Sequence, residues 1–249
     1  YEDNLVVMAE PFHLWVIEAG DAVRHAFPAD RAGLQVKFVQ DMAPYRTRKV
    51  RILNGAHTAL VPVAYLHGLR TVKESVEDAI TGKFIHDVIF DEIIPTLDLS
   101  KDELQQFAND VIERFKNPFI RHELSSIALN SVSKFTVRVL PSLVQYTQAK
   151  KQLPKGLSFS LAALIRFYKG EWKGERLPVN DSEDIVQFFK DVWKSNNSKT
   201  VTEKVLSHVA FWGTDLTQLP GLSSAIEHGL QQLELLEQGI ETNSVLEFH

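Results

Sequence analysis

The chain has 249 residues, 44% of them hydrophobic and 24% charged, with a net charge of −5 and no cysteine. That balance excludes an intrinsically disordered chain and is ordinary for a globular protein with a substantial core. The lack of cysteine excludes disulfides, thiolate zinc sites and cysteine nucleophiles, and the acidic balance argues against nucleic acid as a partner, since that needs a concentrated basic surface.

No apolar run approaches the roughly 20 residues of a membrane-spanning helix. The opening YEDN lacks the basic start of a secretory signal. A cysteine-free chain suits a reducing compartment, so the expected setting is cytoplasmic, away from membranes.

Taken in order, the chain opens β-like. Residues 5–7 (LVV), 12–17 (FHLWVI) and 34–39 (LQVKFV) are rich in β-branched and aromatic residues, the last after the loop markers Pro28 and Gly33. Three strands within about forty residues make a poor domain and read as the tail of a larger sheet. From residue 44 onward the pattern is helical. A core helix spans 45–60, with Pro62 expected to kink or end it. Helices follow over 71–81, closed by Gly82, and over 84–94, before Pro95. The capping box Ser100-Lys-Asp-Glu103 opens a helix to Lys116, stopped by Asn117-Pro118. Residues 119–152 form one or two helices with a break near Pro141. Further helices cover 157–168, ended by Gly170, then 184–194, 202–211 behind a Thr200-x-x-Glu203 box, and 222–239, with a loop over 170–180. The expected fold is mainly α, an all-α domain over 44–249 of about ten helices preceded by a β remnant over 1–43.

Several chemistries are missing. No GxGxxG follows a strand, Thr81-Gly82-Lys83 lacks the earlier glycine of a phosphate loop, and neither GxSxG nor HExxH occurs. His86, Asp87, Asp91 and Glu92 lie beside apolar Val88, Ile89 and Ile93 and read as a solvated face, so no metal is expected. His13, His25, His67, His122, His208 and His228 lack ligand-spaced partners and read as structural.

The segment 45–57, YRTRKVRILNGAH, is different. It places Arg46, Arg48, Lys49 and Arg51 in the first turns of a helix, where the dipole disfavours each cation by some tenths of a kcal/mol. A carboxylate-rich neighbour or a small anionic ligand would compensate; a solvated basic edge is the plain alternative. Val50, Ile52, Leu53, Ala56, Ala59, Leu60 and Val63 leave little polar face, so the helix should be buried. At uniform α-helical pitch Asn54 and His57 sit about 60° and roughly 4.5 Å apart, and Lys49 about 80° and roughly 12 Å from His57. Burying such groups without partners costs several kcal/mol, so a site is the economical explanation. Gly55, about 1 kcal/mol worse than alanine in a helix, is expected where something approaches the backbone closely. Burial and neighbouring cations oppose a lysine's charged form, which is how a lysine becomes an acid or base near neutral pH. An asparagine amide can donate to a developing oxyanion and an imidazole can hold a hydroxyl. Together they suit alcohol/carbonyl interconversion.

Lys-x4-Asn-x2-His on a buried helix resembles the mannitol dehydrogenase family of long-chain polyol dehydrogenases. Glu10-Pro11-Phe12 with Trp15-Val16-Ile17-Glu18, the strand Val36–Asp41, and Asn117-Pro118-Phe119-Ile120-Arg121 resemble further segments of that family in the same order. The resemblance implies that Lys49 is the general acid/base, Asn54 the oxyanion donor, His57 a substrate-hydroxyl ligand and Lys134 a substrate-binding cation. It also implies NAD as cofactor, held mainly by a Rossmann-like domain of which 1–43 would be the last strands, with no metal. An isolated substrate domain of this kind would turn over little or nothing. Two positions depart from the family: Arg46 stands where a glutamate is common, and Ser126 where an arginine is. Arg46 near the lysine suits a substrate carboxylate. The segment is most similar to members that reduce the keto-hexuronate tagaturonate to the hexonate altronate. Fructuronate reduction, mannitol-type polyol oxidation and a non-catalytic helical binding module are the alternatives.

Overall fold

A computed structural model describes Leu5 and residues 13–240. Contacts divide the chain into two units, Tyr1–Thr47 and Arg48–His249. The fold is mainly α with a short β segment near its beginning, as the sequence leads one to expect.

In the first unit, β1 (Trp15–Glu18) and β2 (Val36–Val39) pair in parallel, Trp15 opposite Val36 and Glu18 opposite Val39. A parallel pair needs a crossover, supplied by α1 (Asp21–Ala26) and a 3₁₀ turn at Ala29–Arg31, which the sequence reading passed over. Glu18 accepts the Met42 amide hydrogen at 2.8 Å, just before α2 (Ala43–Arg48). Of the strand expected at 5–7 only Leu5 is described, as part of a turn, and residues 6–7 and the Glu10-Pro11-Phe12 segment lie outside the described residues.

The second unit begins with a π-helical turn, Lys49–Asn54, that leads into α3 (Gly55–His67). Pro62 lies inside α3 and does not end it; Gly68, at φ 105°, does. The next expected helix is two: α4 (Val72–Glu77), opened by a Thr71/Glu74 capping box, and α5 (Ala79–Asp87), opened by the Asp78 carboxylate on the amides of Ile80 and Thr81. Gly82 is therefore no terminator. It lies within α5 because a Cβ there would come 2.6 Å from the Val76 carbonyl oxygen. A second π turn, Val88–Ile93, and a 3₁₀ turn, Ile94–Thr96, follow. The helix α6 (Lys101–Phe115) starts at its expected cap, Ser100. Three shorter helices, α7 (Leu124–Ile127), α8 (Ser131–Arg138) and α9 (Leu140–Lys150), occupy the next stretch, with Pro141 in the first turn of α9, where its missing amide hydrogen is no loss.

At the centre lies α10 (Lys155–Phe167), whose residues are all buried from Gly156 to its end. It packs against α3 on one side and α14 (Leu222–Glu237) on another. The expected loop over 170–180 contains a small hairpin, β3 (Glu171–Trp172) and β4 (Glu175–Arg176), turning through Lys173 and Gly174, both at positive φ. The remaining helices are α11 (Glu183–Trp193), α12 (Ser198–Leu206) and α13 (Val209–Trp212). The cap of α12 is Asn197, whose side chain accepts from the Thr200 amide, so the Thr200-Glu203 box is interior to the helix.

The buried charges secure this centre. Arg166, wholly buried in α10, pairs with Glu237, donates to the Glu171 carbonyl at 2.9 Å and lies over the Trp172 ring. Glu92, expected on a solvated face, is instead buried in the second π turn. Its two oxygens accept the amide hydrogens of Gly156 and Leu157 at 2.7 and 2.8 Å, which caps α10 from 64 residues away. His86, Asp87 and Asp91 stay at or near the surface, with Asp87 paired to Lys83. Among the described residues no cluster of three or more His, Asp or Glu is placed to hold a metal, and no helix is long and apolar enough to cross a membrane.

Burial pushes the Glu92 carboxyl up to about 7 against the pull of its two amide donors. A raised carboxyl means that the folded chain keeps a proton the unfolded chain has lost, so this contribution is full below about 4.5 and fades as pH rises to about 7. Denaturant titrations between pH 4.5 and 7.5 should show stability falling with pH more steeply in the wild type than in Glu92→Gln. Glu92→Ala, which orphans two buried amides, should cost about 1–3 kcal/mol for each.

Candidate active site

The site residues start from the first π turn. There the Gly55 amide hydrogen reaches back five residues to the Val50 carbonyl. An i→i+5 turn stacks Lys49 over Asn54, where uniform α-helical pitch would stack it over Leu53. The 80° offset expected of Lys49 therefore does not hold, and the two polar residues share a side more closely than the sequence implied.

Two of the four cations are fastened elsewhere. Arg48 is buried, bonded to Glu103 of α6 at 2.8 Å and lying over the Phe107 ring at 4.3 Å. Arg51 donates to Ser142 and Gln145 of α9 at 2.9 and 3.3 Å. The carboxylate-rich neighbour that four helix-start cations require is thus met in part by Glu103. Lys49 is exposed, and no hydrogen bond or ion pair engages its amine among the described residues. The burial expected to tune it is not supplied by the described residues of its unit. Arg46 is also exposed and belongs to the first unit.

His57, one turn on, is enclosed. Its ring stacks on Phe115 at 4.0 Å and meets the His122 ring edge-on at 5.1 Å. Its Nε2 is buried with no hydrogen-bond partner among the described residues. Burial first, then the charges of His122, Arg138 and Arg114, push its pKa down to about 3, so the imidazole is neutral at physiological pH. Asn54, half-buried, precedes it by three residues, and its carbonyl accepts from Thr58 at 2.8 Å.

Gly55 owes its identity to a neighbouring helix. A Cβ there would sit 2.9 Å from the Arg138 carbonyl oxygen, so only glycine lets the end of α8 approach this closely. What approaches the backbone is protein, not a ligand. The same helix carries Lys134 one turn earlier, its amine donating to the Ile127 carbonyl at 2.8 Å. Burial and Arg138 lower the pKa of Lys134, and Asp181 opposes them. The start of α8 is held by Tyr168, which accepts from the amides of Val132 and Ser131 and donates to Asp181; burial raises its phenol above the usual range.

The second unit therefore assembles Lys49, Asn54 and His57 on one continuous helical run, with α8 and its Lys134 packed against it. His122, Arg138 and Arg114 were missed. A signal for Arg138 existed, since it lies four residues beyond Lys134 and shares its helix face. None existed for His122, whose partner is 65 residues away.

Residues 41–234 match the family model described as the mannitol dehydrogenase C-terminal domain. Over 236 residues the chain is 49% identical to the altronate oxidoreductase of Bacteroides thetaiotaomicron, covering 94% of this chain and 49% of that one. It is 44% identical over 246 residues to the altronate oxidoreductase of Bacillus subtilis, covering 96% and 50%. The chain thus spans about half the length of the curated relatives it matches. Mannitol 2-dehydrogenase of Pseudomonas fluorescens, solved as a ternary complex with NAD and D-mannitol, shares the fold with a TM-score of 0.73 at 22% identity, over 84% of this chain and 42% of that one. A D-sorbitol dehydrogenase in substrate-free form gives 0.68 at 21%, over 86% and 42%.

Two measurements probe this geometry. A base whose folded pKa lies below its unfolded value contributes stability that is lost as pH falls from 6.5 towards 3. The wild type should lose stability across that window more steeply than His57→Gln in denaturant titrations. Gly55→Ala should destabilise the chain by about 1–3 kcal/mol through overpacking against α8, read as a lowered Tm.

Proposed function

We propose, since the chain belongs to the mannitol dehydrogenase family, that it is the substrate domain of an NAD-dependent oxidoreductase reducing a keto-hexuronate, tagaturonate, to altronate. The observation that carries this reading is the π turn that brings Lys49 over Asn54 with His57 one turn beyond. The relatives named altronate oxidoreductase, at 44–49% identity, support the choice of a sugar acid over a neutral polyol.

The reduced cofactor, NADH, when bound, would supply the hydride. The turn after β1 reads Ala19-Gly20-Asp21-Ala22-Val23-Arg24, without the glycine-rich fingerprint that cradles a pyrophosphate. The nucleotide is assigned mainly to a domain beyond the described strands, with β1 and β2 as that domain's last strands and the all-α part as the substrate domain. The chain's own residues handle the proton and the sugar. Lys49 gives its proton to the carbonyl oxygen during reduction and takes it back in the reverse reaction. Asn54 donates an amide hydrogen to that oxygen as negative charge builds, a bond stronger in the transition state than in the ground state. His57, neutral and short of a partner at Nε2, accepts from a substrate hydroxyl. Lys134, on α8, binds the substrate's polar groups. The exposure of Lys49 is compatible with this role, because bound substrate and nucleotide would supply the desolvation that its own unit does not.

The enzyme carrying this chain should oxidise NADH fastest with tagaturonate when tagaturonate, fructuronate and fructose are offered in parallel. No oxidation with any of the three would sink the oxidoreductase reading, and a preference for fructose would sink the uronate. Lys49→Ala should lower kcat by about 10²–10⁴-fold with an unchanged Tm; an active variant would remove Lys49 from the mechanism.

A further inference from the structure

The arginines of the second unit form an instructive comparison. Arg48 has Glu103 and the Phe107 ring, Arg51 has Ser142 and Gln145, Arg70 has Glu175, and Arg166 has Glu237. Arg138 is half-buried too, and burial lowers its pKa, yet no hydrogen bond or ion pair engages its guanidinium among the described residues. A partly desolvated guanidinium without an anion is costly, because its planar fork of donors has lost water and gained nothing in exchange. Its position is as telling. The backbone of Arg138 abuts Gly55, so its side chain starts from the level of Asn54 and His57, and its charge bears on the His57 ring. That ring carries the buried Nε2 that lacks a partner. Lys134 lies one turn earlier on the same face of α8.

We propose that Arg138, backed by Lys134, receives the carboxylate of the substrate and thereby selects a sugar acid over a neutral keto-hexose. The assignment rests on the keto-hexuronate reading above and adds the residue that recognises its acid end. Arg46, the cation first matched to this carboxylate from the sequence, is exposed, and solvent screening leaves an exposed pair little to contribute. At Arg138 a bidentate, charge-assisted pair forms in a partly dry setting. A hydroxymethyl group in the same place leaves the guanidinium unsatisfied, which penalises the wrong substrate as well as favouring the right one.

The test uses the enzyme carrying this chain as wild type, Arg138→Met, Arg138→Lys and Arg46→Met, with tagaturonate and with tagatose, its neutral counterpart. The ratio of kcat/KM for tagaturonate over tagatose should fall about 100-fold in Arg138→Met, mainly through KM, and recover in part in Arg138→Lys. An unchanged ratio, or a fall confined to Arg46→Met, overturns the assignment. Should the wild type reduce neither sugar, the oxidoreductase reading fails by itself, and calorimetric titration of altronate and of neutral altritol into the same proteins decides the carboxylate site. A wild-type preference for altronate that disappears in Arg138→Met supports it; no such preference, or one that survives the substitution, overturns it.

Discussion

The hydrogen bond from the Gly55 amide to the Val50 carbonyl is the constraint on which the site depends. It widens one turn of a helix that is otherwise α, and so decides which side chains stand above one another. The widened turn is held from two sides. Arg48 is fastened to α6 through Glu103, and Arg51 to α9 through Ser142 and Gln145. Immediately after it, the bare face of Gly55 takes the carbonyl at the end of α8. Three elements, α6, α8 and α9, thus converge on one turn, and the two anchored arginines flank the lysine that is left to the solvent.

The second π turn plays the same part in the core. It delivers Glu92 to the first amides of α10, the helix around which α3 and α14 are packed. A helix start buried this deeply needs acceptors for its free amides, and no residue of its own first turn supplies them. The carboxylate does so from another element, with desolvation opposing its charge and the amides favouring it. Arg166 near the far end of the same helix pairs with Glu237 and donates to the Glu171 carbonyl. The start of the central helix is therefore capped, and the arginine near its end paired, by carboxyl groups from elsewhere in the chain.

What could be read from the sequence was whatever is encoded locally. The Ser100 cap, the stop at Asn117-Pro118, the break beside Pro141 and the strand patterns around Trp15 and Val36 are set by neighbouring residues, and the structure contains them. The Lys49, Asn54 and His57 spacing was visible for the same reason. Features that failed to show depend on distant partners. Glu92 looked like a surface residue until Gly156 and Leu157 were placed beside it, and His122 looked structural until His57 was. Gly82 read as a stop because a glycine in a helix usually weakens it, whereas here the carbonyl of Val76 demands it. The π turns were invisible because hydrophobic periodicity assumes a constant 100° per residue, which fails across both of them.

A π turn is an α-helix with one residue too many. Removing any single residue between Lys49 and Asn54 would let the run close into ordinary α geometry, with an unbroken backbone ladder and no lost cap. The residues on either side of the deletion would keep their facing, because four positions at α pitch span the same turn that five span here. What would part Lys49 from Asn54 is closure of the same six residues to α pitch with none removed, which would set Lys49 over Leu53 instead. The shared facing of Lys49 and Asn54 is thus written in a residue count, five positions across a widened turn standing in for four across an ordinary one.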